Sequence, residues 1–442
     1  MQQFELLVKE QEVKNFVLKG NILYSRTLNE IGEYPNSYLV FGNGLCQGVY
    51  SELPIEYKNY SLIDYGEKLI IPGLVDTHIH APQFTYRGMG MDLELLEWLD
   101  RQAFPEEAKY SDIEYAKKAY SIFAEELKRS ATTRAVIFAT RHRKATELLM
   151  QLLEDTGLIT YVGKINMDQN APDNLKEKNA EESAFNTLDW INHVLDKFKY
   201  TKPILTPRFI PSCSKQLLEK LREIRREYDL PVQSHLSENP EEVELVKQLF
   251  PEAEFYGDCY DRYDLFGNKP DGEFKSPTVM AHCVYSCDKE AELIKKNGVF
   301  VSHCPASNLN LASGVAPIRK YLDMGIKVSL GSDVAGGQTE SIFRAMTDAI
   351  QVSKMYWRLV DNNAKPLTFE EAFYMATVGG GEFFGNVGRF DKDYEFDALV
   401  LNDEKLPHPQ ELSLRQRLER FVYLGGDNLG IDAKYVAGNQ II

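Results

Sequence analysis

Residues 71–84 read IPGLVDTHIHAPQF, and two histidines, His78 and His80, flank one residue at the end of that apolar run. On an extended strand, side chains two apart point to the same side. The pair can therefore offer two imidazoles to one cation. Read alone, it fits two ordinary histidines equally well. Further chemistry follows downstream. QSHLSE sets His235 at the end of another apolar run, with Glu238 three residues on. A carboxylate there is placed to shuttle the proton of an activated water, although by itself it also fits a solvated loop residue. VMAHC supplies His282, and LGSDVAGG supplies Asp333. An aspartate at that point is either a ligand and proton acceptor or the N-cap of the next helix.

These residues need elements to bring them together. Eight strand-like runs can be read, at 74–78, 134–140, 160–166, 203–208, 231–235, 277–283, 299–304 and 327–333. Amphipathic helical stretches such as 111–130, 215–230 and 291–298 lie between most of them. Eight alternating units predict an α/β chain folded as a (β/α)8 barrel, whose C-terminal strand ends converge on one mouth. Six of the eight histidines (His78, His80, His142, His235, His282 and His303) follow or end such runs, whereas His193 and His408 do not. Both ends of the chain read as strands and turns, at 15–25, 37–50 and 67–73 and again at 394–403, 420–426 and 433–442. The expectation is a small β-sandwich module from 1–70 plus 388–442, with the barrel spanning 71–387.

Composition narrows the function. The 442 residues carry 66 acidic against 50 basic side chains, a formal charge of −16. A nucleic-acid surface shows as a basic excess, so the expected partner is a small molecule and not RNA or DNA. Six cysteines form no disulfide framework and no CxxC pair. That excludes the zinc site built on a PCxxC motif. The first residues lack the apolar core of a signal peptide. No apolar run approaches the ~18 residues of a membrane helix. The expected location is cytoplasmic, with no membrane partner.

Together, HxH after the first strand, histidines after the fifth and sixth, and an aspartate after the eighth resemble the amidohydrolase superfamily. The resemblance spans nearly the whole chain. It implies a metal held by His78, His80, His235 and Asp333. Binuclear members often carry a bridging lysine after strand four; here PILTPRF has none, which suits a single divalent cation, zinc by preference with iron compatible. The stretches LLEWLDRQAFPEE, FATRH, TPRFIPSCS, SHCPASNLNLASG and GSDVAGG are more specific and resemble the guanine deaminases within that superfamily. This implies hydrolysis of guanine to xanthine and ammonia, with Glu238, His282 and Asp333 catalytic and Gln83, Arg208 and Phe209 contacting the substrate. It also implies a homodimer. Deamination or dechlorination of another aminated heterocycle stays open as the alternative. Trp98 and Phe104 read as core in preference to pocket lining; His142, His303, Cys283 and Cys304 read as packing or supporting residues.

Overall fold

The computed structural model describes residues 15–268 and 274–442. Strands from both chain ends form one seven-stranded sheet. Phe16–Thr27, Glu30–Gly42, Leu45–Tyr50 and Ser61–Pro72 come from the start, and Ala398–Leu401, Ile431–Val436 and Asn439–Gln440 from the end. The two groups meet where Pro72 pairs antiparallel with Ala398. Alternation divides the faces. Phe16, Leu18, Ile70, Ala398 and Tyr435 point into the sheet's own core, together with Phe396. Leu69, Ile71 and Leu399 point the other way and join the barrel core. The first fourteen residues lie outside the described part. One terminal expectation is corrected: 420–426 is not a strand but the end of the helix Leu414–Leu424. Ser413 and Gln416 form a capping box at its start, and Leu418, Phe421 and Val422 face inward at helical spacing. RFVYLGG taken alone hides that period.

The eight barrel strands are β1 (Leu74–His80), β2 (Thr132–Phe138), β3 (Ile159–Gly163), β4 (Thr201–Pro203), β5 (Val232–Leu236), β6 (Thr278–His282), β7 (Phe300–His303) and β8 (Val328–Leu330). All run parallel, β1 to β4 in one series and β5 to β8 in another. A bridge between Leu205 and Val232 joins the two series. Backbone bonds from Asp333 N to His78 O (2.8 Å) and from His80 N to Val334 O (3.1 Å) close the circuit. Every residue of β1 and β2 is buried, as parallel strands covered on both faces must be. Helices follow the strands with local signals in place. Asp112 caps Ile113–Arg129 and Ser214 caps Lys215–Tyr228 through side-chain oxygens. Gly298, at φ 64°, takes the left-handed conformation just past Asp288–Lys296.

Candidate metal and substrate site

The strand ends bring the predicted residues together. His78 and His80 end β1, with ring centroids 4.9 Å apart. His235 comes from β5 and stacks on His80 at 5.3 Å. His282 ends β6, and Asp333 follows β8. His282, Cys283 and Asp333 hold positive φ (74°, 50° and 46°) without being glycine. Such backbone is uncommon and is kept only where surroundings enforce it; here it turns each chain abruptly at the mouth.

The nitrogens and oxygens face one another. His78 Nε2 lies 3.1 Å and His80 Nε2 3.5 Å from Asp333 Oδ1. His80 Nε2 is 3.2 Å from His235 Nε2. On His235 the other nitrogen, Nδ1, contacts the Arg208 carbonyl at 2.5 Å. A carbonyl only accepts, so Nδ1 carries the proton and Nε2 keeps its lone pair. His78 Nε2 and His282 Nε2 are buried, and neither has an aligned hydrogen bond among the described residues. Imidazole nitrogens and a carboxylate turned towards one buried point fit a divalent cation. The charge state agrees. Burial, then neighbouring imidazoles, hold His80 and His235 well below the usual histidine range and so neutral, as ligands must be. Burial alone would raise the Asp333 carboxyl, but the neighbouring His78 first, then His282, holds it well below the usual carboxylate range.

Glu238 differs. Its Oε2 is 3.4 Å from His282 Nε2, and its Oε1 accepts from Ser313 Oγ at 3.2 Å. Burial, with the Asp333 charge adding to it, pushes its carboxyl up to about 8. The two carboxylates of the site are thus driven apart, Asp333 ionised at rest and Glu238 able to hold a proton. A test follows for the metal-free protein. Between the unfolded value near 4.5 and about 8, the fold holds a proton on Glu238 that the unfolded chain has released. Stability therefore falls as pH rises across that window, by up to about 1.4 kcal/mol per pH unit. Glutamine mimics the protonated acid and lacks this loss. Chelator-treated Glu238→Gln is expected to gain in melting temperature over chelator-treated wild type as pH goes from 5 to about 8. A constant difference would contradict the raised value.

The cleft above these groups is lined by Gln83, Trp98, Arg208, Phe209 and Leu311 besides the polar cluster. Gln83 follows β1 and Arg208 follows β4. Both reach Glu107: Gln83 Nε2 donates to Oε1 at 2.9 Å, and the Arg208 guanidinium donates to both oxygens, at 3.0 Å to Oε1. The ring of Phe104 lies 5.3 Å beneath the guanidinium.

Some residues were not singled out by sequence reasoning. Glu107 sits in the run PEE, which reads as a solvated helix face, yet it is 1% exposed. Asn308 accepts from His282 Nδ1 at 2.9 Å through Oδ1. Its signal was only its place in SNLNL. Asp76, by contrast, reads from the sequence as either a support for the histidines or a plain turn residue; it accepts from the backbone of His78 and Ser332, each at 3.1 Å, tying β1 to the loop before Asp333. Trp98 is buried in the main core, as expected, and its Leu95–Trp98 turn also walls the cleft; Phe104 packs in a small core cluster. His142 is half-buried beside the helix Arg143–Thr156, away from the cleft lining. His303 is buried against a separate hollow lined by Arg319 and Tyr356. Cys283 and Cys304 are buried. The Cys304 sulfur comes within 4.8 Å of ligating atoms of His78, His282 and Asp333.

A (β/α)8 barrel with this cluster of histidines and carboxylates at its mouth defines a class. The family model described as "Amidohydrolase family" matches residues 69–438, and the chain belongs to that family. Among its relatives is a guanine deaminase of Dictyostelium discoideum, 36% identical over 450 aligned positions that cover 96% of this chain and 98% of the relative. The guanine deaminase of Homo sapiens is 37% identical over 85% of this chain and 83% of its own. A crystal structure of guanine deaminase from C. acetobutylicum, with guanine bound in its active site, superposes with a TM-score of 0.92 at 46% identity, covering 97% of this chain and all of that one.

Proposed function

We propose that this chain hydrolyses guanine to xanthine and ammonia, with one divalent cation as its cofactor. The observation that carries the reading is that His78, His80, His235 and Asp333 meet through close contacts at the base of a cleft that the Gln83 and Arg208 donors also line. Likeness to guanine deaminases over nearly the full length supports it. His78, His80, His235 and Asp333 would hold the cation, and a nitrogen and carboxylate set of this kind suits zinc, with iron compatible. When bound, such a cation lowers the pKa of water towards ~7 and makes it a nucleophile at neutral pH.

The chain's own groups do the rest. Arg208 and Gln83 hold the purine by its acceptors, and Phe209 lies beside it. His282, its Nδ1 proton committed to Asn308, presents Nε2 as an acceptor that orients the attacking water. Glu238 takes one proton from that water and delivers it to the ring, which makes C2 electrophilic. Its raised proton affinity suits both acts. Asp333 receives the second proton and passes it to the amine, which leaves as ammonia as the C2–N bond breaks and the C2–O bond remains as the carbonyl.

The wider reading is a homodimeric cytoplasmic enzyme with a β module at 1–70 plus 388–442 and a barrel at 71–387. Among the described residues no helix is long and apolar enough to cross a membrane. The test is a panel of guanine, cytosine, an aminotriazine and an oxidised guanine, followed by ammonia release and chromatography of the product. Guanine is expected to yield xanthine with the highest kcat/KM. Turnover of another ring with none on guanine would overturn the assignment.

A further inference from the structure

We propose that Glu107 is the positioning residue that locks Gln83 and Arg208 into one donor-only edge, and that this edge selects purines bearing a 6-oxo group. The inference rests on the guanine reading above. Glu107 lies on the short helix Phe104–Ala108, outside the barrel strands, and both of its oxygens are spent inside the protein. Gln83 is held from two sides. Its Oε1 accepts from Ala335 N at 3.1 Å, while its Nε2 donates to Glu107 at 2.9 Å. A flipped amide would set an N–H against an N–H and an oxygen against a carboxylate, so the orientation is fixed by chemistry. One hydrogen on Gln83 Nε2 stays free of Glu107. A guanidinium has five donor hydrogens, and the carboxylate takes only part of that set. What this unit can present to a ligand is therefore N–H groups.

A ring carbonyl satisfies such an edge. A ring with only C–H at that position leaves a buried donor unmet, and a site built to bond one group rejects the analogue that lacks it. Glu107 does not approach the reacting atoms; it acts through Gln83 and Arg208.

The experiment compares wild type and Glu107→Gln on guanine and on 2-aminopurine, which keeps the reacting 2-amino group but lacks O6. Glutamine offers one acceptor oxygen in place of two and turns an N–H towards Arg208 or Gln83. The KM for guanine is expected to rise roughly tenfold or more, with kcat and metal content little changed. The kcat/KM preference for guanine over 2-aminopurine should shrink. Glu107→Asp, which keeps the charge, should recover part of both effects and serves as the working variant if glutamine impairs folding. Unchanged KM and preference in a wild-type background active on guanine would overturn this inference alone. So would a joint fall in kcat, metal content and melting temperature in both variants, which marks a merely structural role. A wild type inactive on guanine would overturn the functional reading first and this one with it.

Discussion

Glu238→Gln is expected to lower kcat for guanine by roughly a thousandfold while the metal content stays at the wild-type level. The expected loss lies within the range that general acid–base groups contribute. Glutamine keeps the size of the side chain and an oxygen for the Ser313 hydroxyl, which donates to Glu238 Oε1. The backbone bond from Glu238 N to Glu242 is untouched by the exchange. What disappears is a group that can take a proton and give it back. Ammonia release at saturating guanine reads the kcat, and elemental analysis reads the metal. Wild-type-like turnover would exclude Glu238 as the shuttle; loss of metal would move it into the ligand set.

His235→Ala is expected to empty the cation site. Four protein donors fall to three, and the lost nitrogen is the one facing His80 Nε2 at 3.2 Å. A dialysed preparation should hold far less than one metal per chain and show no measurable turnover. A second reading is independent of activity. A ligand that binds only the folded state raises its stability, so chelation should lower the wild-type melting temperature. The variant's should not respond to chelator or to added zinc. Full metal occupancy in the variant would refute the ligand role of His235.

The barrel strands and the convergence of His78, His80, His235 and Asp333 could be read in advance for a physical reason. Buried parallel strands are short, dense apolar runs, and these residues terminate them, so local pattern marks both. The ring that unites them needs only the general rule that strand ends converge. Glu107 escaped because its meaning lies in partners 24 and 101 residues away. Locally, an acidic pair in a helix looks like any solvated face. Asn308 escaped similarly, since nothing nearby shows that a histidine ring from another strand leans on it. The helix Leu414–Leu424 was hidden by cutting the window at Arg420, which removed the capping box and half of the apolar period. The wall made by Leu95–Trp98 depends on how a long connection folds back over the mouth, and no period encodes that.

Arg208 holds two tasks through two different parts of itself. Its guanidinium enters the cleft, while its carbonyl takes the proton of His235 Nδ1. Every amino acid brings the same carbonyl. A change of side chain at this position therefore leaves in place the hydrogen bond that orients His235. The group that faces the cleft and the group that orients the proposed cation ligand belong to one residue, yet a single substitution alters only the first.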